Sequence, residues 1–317
     1  MSTTTPSVTI TADGYTAEIA LRGGQLLSLT SADPASGKAQ NLVVPAERGE
    51  GAYPGMVLAP WPNRIAGASY TYEGTEYSLT ANEQETGAAL HGLLFSTLLQ
   101  VQHQKDNEVH LAGVLPPSEG YPFRLEVSLV YRVAGHLGLT ATLSTRFAPA
   151  AEDGAEPGTS APFGVGFHPY LTADDAPLKA CRLRLPASTV AQTQANGRVT
   201  GRQPVSGDLD LTDGPLLAGL RIDHAYTDLP QEGWSAELQH GPSGLVVRMI
   251  SDTPWAQVYT GDRISRAGVA VEPMTCPPDA FNSGEDLMTL TAGGDDDGAA
   301  TPSPWVRVGY SIEAIRR

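Results

Sequence analysis

Apolar residues recur at every second position over long stretches of this chain, and this period of two most limits what it can fold into. In the clearest stretch they occupy alternate positions from Phe123 to Val133, and the alternation resumes from Leu137 to Leu143 after a short turn at 134–136. Such alternation places one face of a strand in the core and the other face in solvent. The stretch therefore predicts a long β-hairpin with one buried face.

Further hairpins are predicted where the same alternation surrounds a short turn sequence. They cover residues 7–20, 68–80 and 236–250, with turns at Asp13-Gly14, Glu73-Gly74 and Gly241–Gly244. Another alternating run, 306–312, lies close to the C-terminus. No segment longer than about three turns has the 3.6-residue period of an amphipathic helix. Strands that recur roughly every 8–12 residues predict an all-β fold of stacked antiparallel sheets.

Two segments interrupt this pattern without changing the character of the chain around them. Residues 148–161 and 292–304 lack hydrophobic periodicity and are rich in small, acidic and Pro residues. We interpret both as surface loops, because a linker between domains is expected to separate regions of different composition. The sequence therefore predicts a single domain that covers residues 1–317.

Charge and hydropathy limit the partners that the chain can have. The formal net charge is −15, which disfavours nucleic acid and anionic membranes because both bind to basic surfaces. No apolar run approaches the roughly 18 residues of a membrane span, and the N-terminus lacks the basic and apolar parts of a signal peptide. We expect a cytoplasmic protein, a monomer or a homodimer, with a small molecule as its ligand.

The cysteines and the short motifs indicate neither a metal site nor a nucleotide site. Cys181 and Cys276 lie far apart and match no metal spacing, so reduced thiols are expected. The paired His or Cys spacing of a zinc site, the glycine-rich loops that hold phosphates and the Gly-x-Ser-x-Gly nucleophile turn are all missing from the sequence. We therefore expect no metal and no organic cofactor.

Four polar segments stand out against this background, and two of them carry a candidate catalytic residue. They are 61–65 (WPNRI), 90–92 (LHG), 163–170 (FGVGFHPY) and 269–274 (VAVEPM). Glu272 follows a small and apolar run and precedes Pro273. A carboxylate there can be a salt-bridge partner or an exposed edge residue. However, the apolar flanks and a proline expected to end the strand favour a carboxylate at a strand end, in a cleft, where partial desolvation suits a general base.

His168 has similar surroundings. In 163–168 the apolar residues alternate with Gly164, Gly166 and His168, so the histidine is expected to share a strand face with two glycines. Glycines on a face leave room for a ligand to approach the backbone, and Pro169 is expected to end the strand. The alternative is a core histidine that is satisfied by a backbone carbonyl. The glycine-lined face favours a functional histidine.

Taken in order, the polar segments resemble the aldose 1-epimerase (mutarotase) family. The matching stretches run from residue 63 to residue 282 and comprise Asn63–Gly67 with the hairpin after it, Asn82, Leu90–Gly92, His168–Tyr170, Asp223–Tyr226, Gln257–Thr260, Val271–Met274 and Pro278–Asn282. One such motif is weak, but several in the same order are specific. The flanking strands extend the resemblance from about residue 10 to the C-terminus.

The resemblance implies a galactose mutarotase-like fold, an antiparallel β-supersandwich, and a role for each matching residue. His168 aligns with the family's acid and Glu272 with its base. The residues that align with sugar-binding positions are Arg64, His91 and Asp223, and Gln257 and Tyr259 lie in the matching strand before the base. The implied reaction is the exchange of the α and β anomers of a free aldose through the open-chain aldehyde, without metal or cofactor.

The resemblance leaves the sugar open. The residues around His168 and after Glu272 differ from those of galactose-type members, and 61–63, Asn82-Glu83 and 167–170 look more like a bacterial subgroup that includes sulfoquinovose mutarotases. A hexose-6-phosphate 1-epimerase ranks second, because the only cations near Glu272 in the sequence are Arg263 and Arg266. A non-catalytic carbohydrate-binding protein of the same fold is expected to lack His168 or Glu272.

Overall fold

The structure is a computed structural model that describes residues 6–150, 155–194, 196–296 and 298–316. Its helical segments are short: the α-helix Ala280–Ser283 and 3₁₀ turns at Ala46–Arg48, Ala66–Ala68, Leu94–Ser96, Leu178–Ala180, Gly207–Leu209, Gly241–Ser243 and Asp262–Ile264. None of the helices in these ranges is long and apolar enough to cross a membrane.

The remaining regular structure consists of β-strands. In the first half of the chain they are β1 (Ser7–Ala12), β2 (Tyr15–Ala20), β3 (Leu26–Ala32), β4 (Ala39–Asn41), β5 (Val57–Leu58), β6 (Arg64–Ile65), β7 (Ser69–Tyr72), β8 (Thr75–Ser78), β9 (Ala89–Leu90), β10 (Gln100–Lys105), β11 (Glu108–Leu115), β12 (Leu125–Ala134), β13 (Gly138–Phe147) and β14 (Ser160–Phe163). In the second half they are β15 (Gly166–Phe167), β16 (Tyr170–Leu171), β17 (Cys181–Arg184), β18 (Thr189–Thr193), β19 (Val199–Pro204), β20 (Asp223–Thr227), β21 (Trp234–His240), β22 (Leu245–Ser251), β23 (Trp255–Tyr259), β24 (Val269–Met274), β25 (Met288–Thr291), β26 (Gly293–Gly294), β27 (Ala300–Thr301) and β28 (Val306–Arg316).

Two eight-stranded sheets dominate the fold, and their paired strands are antiparallel. One has the order β10-β11-β12-β13-β28-β22-β21-β17 and contains the predicted long hairpin, β12–β13. The other, which we call the site sheet, has the order β19-β18-β20-β23-β24-β15-β5, with β16 also paired to β24. The predicted hairpins at 7–20, 68–80 and 236–250 are confirmed as β1–β2, β7–β8 and β21–β22. The all-β antiparallel prediction is confirmed.

The two predicted loops are partly wrong. Residues 160–163 form β14, which pairs with β25, because their side chains are buried against the core. Within 292–304, Gly293–Gly294 and Ala300–Thr301 pair as a short hairpin. Short pairings of small residues carry no alternating hydrophobic pattern, so periodicity does not reveal them. The residues 151–154 lie outside the described part of the chain.

The site sheet is covered on both faces, and its two faces have different neighbours. In β24, Val269 and Val271 point into the main hydrophobic core, whereas Ala270 and Met274 belong to smaller clusters on the opposite face. Glu272 is on that opposite face too, because side chains alternate along a strand. This two-sided burial explains why 269–274 is apolar without alternation.

Pro273 does not end a strand, and Glu272 does not lie at a strand end, so this part of the sequence prediction is wrong. Pro273 is inside β24, opposite Ala256 of β23. On its other side the neighbouring strand is interrupted between β15 and β16, where the backbone N–H groups of Val271 and Thr275 bond to Pro169 and Val165. A residue without an N–H is tolerated where the ladder has this gap.

Gly55 holds the backbone of His168 against the four-stranded sheet β1–β4. Its N–H donates to the His168 carbonyl at 2.8 Å, and its carbonyl accepts from the N–H of Leu26 at 2.9 Å. The residue has φ +69°, and a Cβ there would lie 1.9 Å from the Leu26 carbonyl oxygen. Only glycine fits this contact, which joins the first sheet to the candidate catalytic histidine.

We expect Gly55→Ala to lower the free energy of unfolding by about 2–4 kcal/mol, because left-handed strain and a backbone clash act together. Urea or thermal unfolding measures the change. Gly51→Ala is the matched control: Gly51 has φ +78°, but a Cβ there would meet nothing within 4 Å. Left-handed strain alone predicts a loss of about 1 kcal/mol for the control. Equal losses in the two variants would contradict the proposed clash at Gly55.

Candidate active site

His168 and Glu272 lie directly opposite each other on the face of the site sheet that points away from the main hydrophobic core, as the two register pairs around them require. Gly166 pairs with Met274, and Tyr170 pairs with Ala270, so counting inward from both pairs brings His168 to Glu272. Residues directly opposite in adjacent strands carry their side chains on the same face. His168 Nε2 lies 3.4 Å from Glu272 Oε1.

Both side chains of this pair are deeply buried and keep unused polar atoms. His168 is 4% exposed and Glu272 is 2% exposed. Within the described part of the chain, His168 Nδ1 and Glu272 Oε2 have no hydrogen-bond partner. Buried polar atoms without partners destabilise a fold, so their presence on the floor of a cleft indicates a functional site.

Burial drives the pKa values of the two groups in opposite directions. Desolvation raises the pKa of Glu272 well above that of an ordinary carboxyl, and the negative charge of Asp223 raises it further. Desolvation lowers the pKa of His168 to about 4. Both shifts favour the uncharged forms. Both shifts therefore favour the arrangement in which Glu272 carries the proton and His168 is neutral.

The glycines before His168 do not leave room for a ligand, contrary to the sequence interpretation. A Cβ on Gly164 would lie 2.5 Å from Cys276 Sγ, and one on Gly166 would lie 3.0 Å from Pro62 Cβ. The space beside these glycines is filled by the protein itself. They allow the 61–65 segment to pack closely against β15, which brings Arg64 to the site.

Arg64 and His91 form one wall of the cleft. Arg64 of β6 pairs with Leu90 of β9, and the His91 N–H donates to the Asn63 carbonyl at 2.8 Å. The His91 ring meets the His168 ring edge-on, with centroids 5.1 Å apart. Burial, together with His168 and nearby arginines, lowers the pKa of His91 well below its usual value. His91 is therefore a neutral hydrogen-bonding group.

Asp223 and Tyr259 lie beside the pair on the same sheet face, one row further along. Asp223 of β20 is opposite Tyr259 of β23, and Gln257 is opposite Glu272. Gln257 Nε2 donates to Asp223 Oδ1 at 2.6 Å. The Tyr259 hydroxyl accepts a hydrogen bond from the backbone N–H of Arg263 at 2.8 Å. Gln257 and Tyr259 thus hold Asp223 and the loop that carries Arg263.

These residues surround one cleft, and all but one of the sequence-predicted site residues line it. The lining comprises Ala52, Tyr53, Asn63, Arg64, Leu90, His91, His168, Tyr170, Asp223, Tyr259, Arg263 and Glu272. Gln257 instead lines an adjoining cavity, which shares Asn63, Arg64 and Asp223 with the cleft. Among the described residues, no group of His, Cys, Asp or Glu could hold a metal ion.

Arg263, Tyr170 and Tyr53 also line the cleft, although the sequence motifs give them no role of their own. The Tyr170 ring stacks on the His168 ring at 5.0 Å, and Tyr53 meets His91 edge-on at 4.7 Å. Arg263 reaches the cleft because the chain turns at Gly261 and enters a 3₁₀ turn. Its neighbour Arg266 instead donates to the backbone carbonyls of 217 and 220. Tyr170 belongs to the polar segment 163–170. No sequence signal separates Arg263 from Arg266.

The arrangement can move two protons at once. Glu272 and His168 are adjacent groups that exchange protons with a ligand, and polar side chains on the walls can bind hydroxyl groups. Aromatic rings beside acid, amide and guanidinium groups suit a polyhydroxylated ring. The cleft therefore has the parts for acid–base chemistry on a small, hydroxyl-rich molecule.

Comparisons with known proteins point in the same direction. The family model described as aldose 1-epimerase matches residues 6–295. The uncharacterized protein YihR of Escherichia coli (strain K12) is 37% identical over 290 residues, which cover 90% of this chain and 89% of YihR. Galactose mutarotase of Homo sapiens is 26% identical over 220 residues, 66% of this chain and 63% of the human protein.

Solved structures share the fold. The GalM/aldose epimerase homologue from C. elegans superposes with a TM-score of 0.82 at 18% identity and covers 99% of both chains. A putative aldose 1-epimerase from Escherichia coli K12 gives a TM-score of 0.75 at 20% identity, covering 98% of this chain and 99% of that one. The galactose mutarotase-like β-supersandwich expected from the sequence is confirmed.

We expect the His168 imidazole to titrate with a midpoint of about 4, because burial opposes its charged form. Side-chain NMR of ¹⁵N-histidine-labelled protein, recorded from pH 7 downwards, measures this midpoint. His168→Asn identifies the signal by its disappearance. A midpoint close to 6.5, the value of an unperturbed histidine, would contradict the proton distribution described here.

Proposed function

The chain belongs to the aldose 1-epimerase family, and on that premise we propose that it interconverts the α and β anomers of a free aldose. One observation carries this proposal: a buried histidine and a buried glutamate face each other, 3.4 Å apart, on the floor of a polar cleft. Anomer exchange requires one group that takes a proton from the anomeric hydroxyl and one that gives a proton to the ring oxygen.

In the proposed reaction, Glu272 takes the proton of the anomeric hydroxyl while protonated His168 donates to the ring oxygen. The bond between the anomeric carbon and the ring oxygen breaks, and the anomeric C–O bond becomes a carbonyl. Rotation about the C1–C2 bond exposes the other carbonyl face. Both protons then return along the reverse path, so the ring closes as the other anomer and neither residue is changed overall.

The proton count of the resting pair fits this scheme. The reactive arrangement, with the proton on His168 and Glu272 ionised, contains the same number of protons as the resting arrangement. Sugar hydroxyls that donate to Glu272 and a ring oxygen that accepts from His168 stabilise the charged forms. Bound sugar therefore supports the transfer of one proton from Glu272 to His168 before the ring opens.

The walls support a hydroxyl-rich ligand. Arg64 and His91 donate to sugar oxygens beside the reacting atoms, and Asp223 accepts from hydroxyl groups. The reaction needs a proton acceptor and a proton donor, and both are supplied by side chains. The presence of both residues in one buried pair also weighs against the non-catalytic carbohydrate-binding alternative.

The charges around the cleft bear on whether the sugar itself carries a charge. The cations at the cleft, Arg64 and Arg263, are both paired with Glu83, and Asp223 adds a negative charge, which together favour an uncharged sugar. One observation favours the second candidate, an aldose with a phosphate or sulfonate: Arg263 is the second cation that such a group requires, and its side chain remains 46% exposed.

We expect purified protein to accelerate anomer exchange of at least one sugar in a panel of glucose, galactose, glucose 6-phosphate and sulfoquinovose. Magnetisation exchange at the anomeric proton, or polarimetry from a pure anomer, measures the rate above that of the buffer. The rate must rise in proportion to protein concentration. Exchange of all four sugars at the buffer rate would overturn the proposed function.

We expect Glu272→Gln to lower the rate of anomer exchange by a factor of about 10²–10⁴, because the amide cannot accept the proton. The variant is expected to fold, because the change removes a buried carboxyl without altering its shape. Glu108→Gln is the control: it changes a similarly buried carboxyl in the other large sheet and is expected to keep wild-type rates. A Glu272→Gln variant that retains most of the activity would remove Glu272 from its role.

A further inference from the structure

Glu83 lies behind the cleft and is bonded to both of its arginines. The residue is 4% exposed and does not itself line the cleft. Its Oε2 accepts from Arg64 Nε at 2.6 Å and its Oε1 from Arg64 Nη2 at 2.8 Å. The same Oε1 accepts from Arg263 Nη2 at 3.2 Å. One buried carboxylate thus connects two cations that come from distant parts of the chain.

The carboxylate is held firmly in its ionised form. Thr86 Oγ1 donates to Glu83 Oε2 at 2.6 Å, so three side chains donate to this one group. The hydrogen bond from Arg64, followed by that from Thr86, lowers the pKa of Glu83 to about 2. Glu83 therefore carries a full negative charge across the physiological range.

The contacts with Glu83 also determine which arginine atoms remain for a ligand. The forked pairing occupies Nε and Nη2 of Arg64, whereas Nη1 lies outside the contacts with Glu83 and donates to Asn63 Oδ1 at 3.4 Å. Arg263 reaches Glu83 and Glu85 through Nη2, which leaves its Nε and Nη1 atoms outside those two contacts. The forked contact of Arg64 joins two of its nitrogens to one carboxylate and so fixes the plane of its guanidinium.

The negative charge of Glu83 helps to balance the positive charges at the cleft. Arg64 and Arg263 contribute two positive charges, and Glu83 and Asp223 contribute two negative charges. The catalytic pair is uncharged overall, and His91 is neutral. Glu85 also contacts Arg263, but its side chain is 80% exposed, so solvent screens it. Glu83 is the buried group that cancels positive charge beside the sugar.

We propose that Glu83 is a positioning and specificity-determining residue: it orients Arg64 and Arg263 for sugar hydroxyls and makes the cleft discriminate against a negatively charged substituent. The inference rests on the proposed anomer exchange and specifies which sugars that site prefers. Removal of this charge without loss of shape leaves two arginines with excess positive charge. The cleft then binds a phosphorylated sugar better relative to its uncharged counterpart.

The test compares glucose with glucose 6-phosphate, two sugars that differ in one charged substituent. For Glu83→Gln we expect the ratio of kcat/KM for glucose 6-phosphate to kcat/KM for glucose to rise at least tenfold over the wild type. The gain is expected to shrink as NaCl is raised, because ionic screening weakens the attraction. A residue with a purely structural role would lower both rates and leave the ratio unchanged.

Glu85→Gln is the matched control, since it removes an exposed carboxylate that also pairs with Arg263. Its ratio is expected to stay within twofold of the wild type. Arg263→Gln provides an opposite test that remains available if Glu83→Gln does not fold: it removes a cation, so the ratio is expected to fall. An unchanged ratio in a folded Glu83→Gln, or a rise in Arg263→Gln, would overturn the role of Glu83.

The outcomes for the two proposals are separate. Exchange of every panel sugar at the buffer rate with wild-type protein contradicts the proposed function. Clear exchange of glucose with the wild type, combined with an unchanged ratio in Glu83→Gln, leaves the proposed function standing and contradicts only the inference about Glu83.

Discussion

The cross-strand pairing of His168 with Glu272 is the contact on which the site depends. Two ionisable groups, each with an unpaired polar atom, are buried side by side, and such an arrangement destabilises the fold unless the surrounding structure compensates. The sheet supplies that compensation through packing on both of its faces. The backbone of His168 is bonded on both sides of the residue, by the N–H of Gly55 and by the carbonyl of Met56. These two backbone hydrogen bonds hold His168 in a fixed position opposite Glu272.

The all-β fold could be predicted from the sequence because the alternation of apolar residues, which indicates strands, is a local feature. Alternation in 125–147 or 236–250 is a property of neighbouring residues, and the turn residues between the strands act locally too. The sequence pointed to His168 and Glu272 as a candidate catalytic pair, but for a partly wrong reason. Glu272 is predicted at a strand end, whereas β24 continues through Pro273 to Met274. The prediction failed because hydrophobic periodicity does not reveal the gap in the neighbouring strand that lets Pro273 remain inside β24.

Glu83 and Arg263 reach the site through contacts between remote segments, and for that reason the sequence did not assign them to it. Glu83 and Arg263 are 180 residues apart, and nothing near either residue indicates the other. Arg263 and Arg266 look equivalent in sequence, yet one reaches the cleft and the other holds a loop through backbone carbonyls. Sequence motifs identify residues that react, whereas the charges that tune a pocket emerge from the packing of loops.

The interrupted neighbour of β24 has a consequence for how such a protein can diverge. Because side chains alternate, an insertion or deletion of one residue within 269–274 would exchange Glu272 with Val271 or Pro273, and one within 166–170 would displace His168 in the same way. The facing of the candidate catalytic residues therefore depends on the length of these strands as well as on residue identity. A change of length in a turn outside these strands, such as 84–87, would leave His168 and Glu272 facing each other.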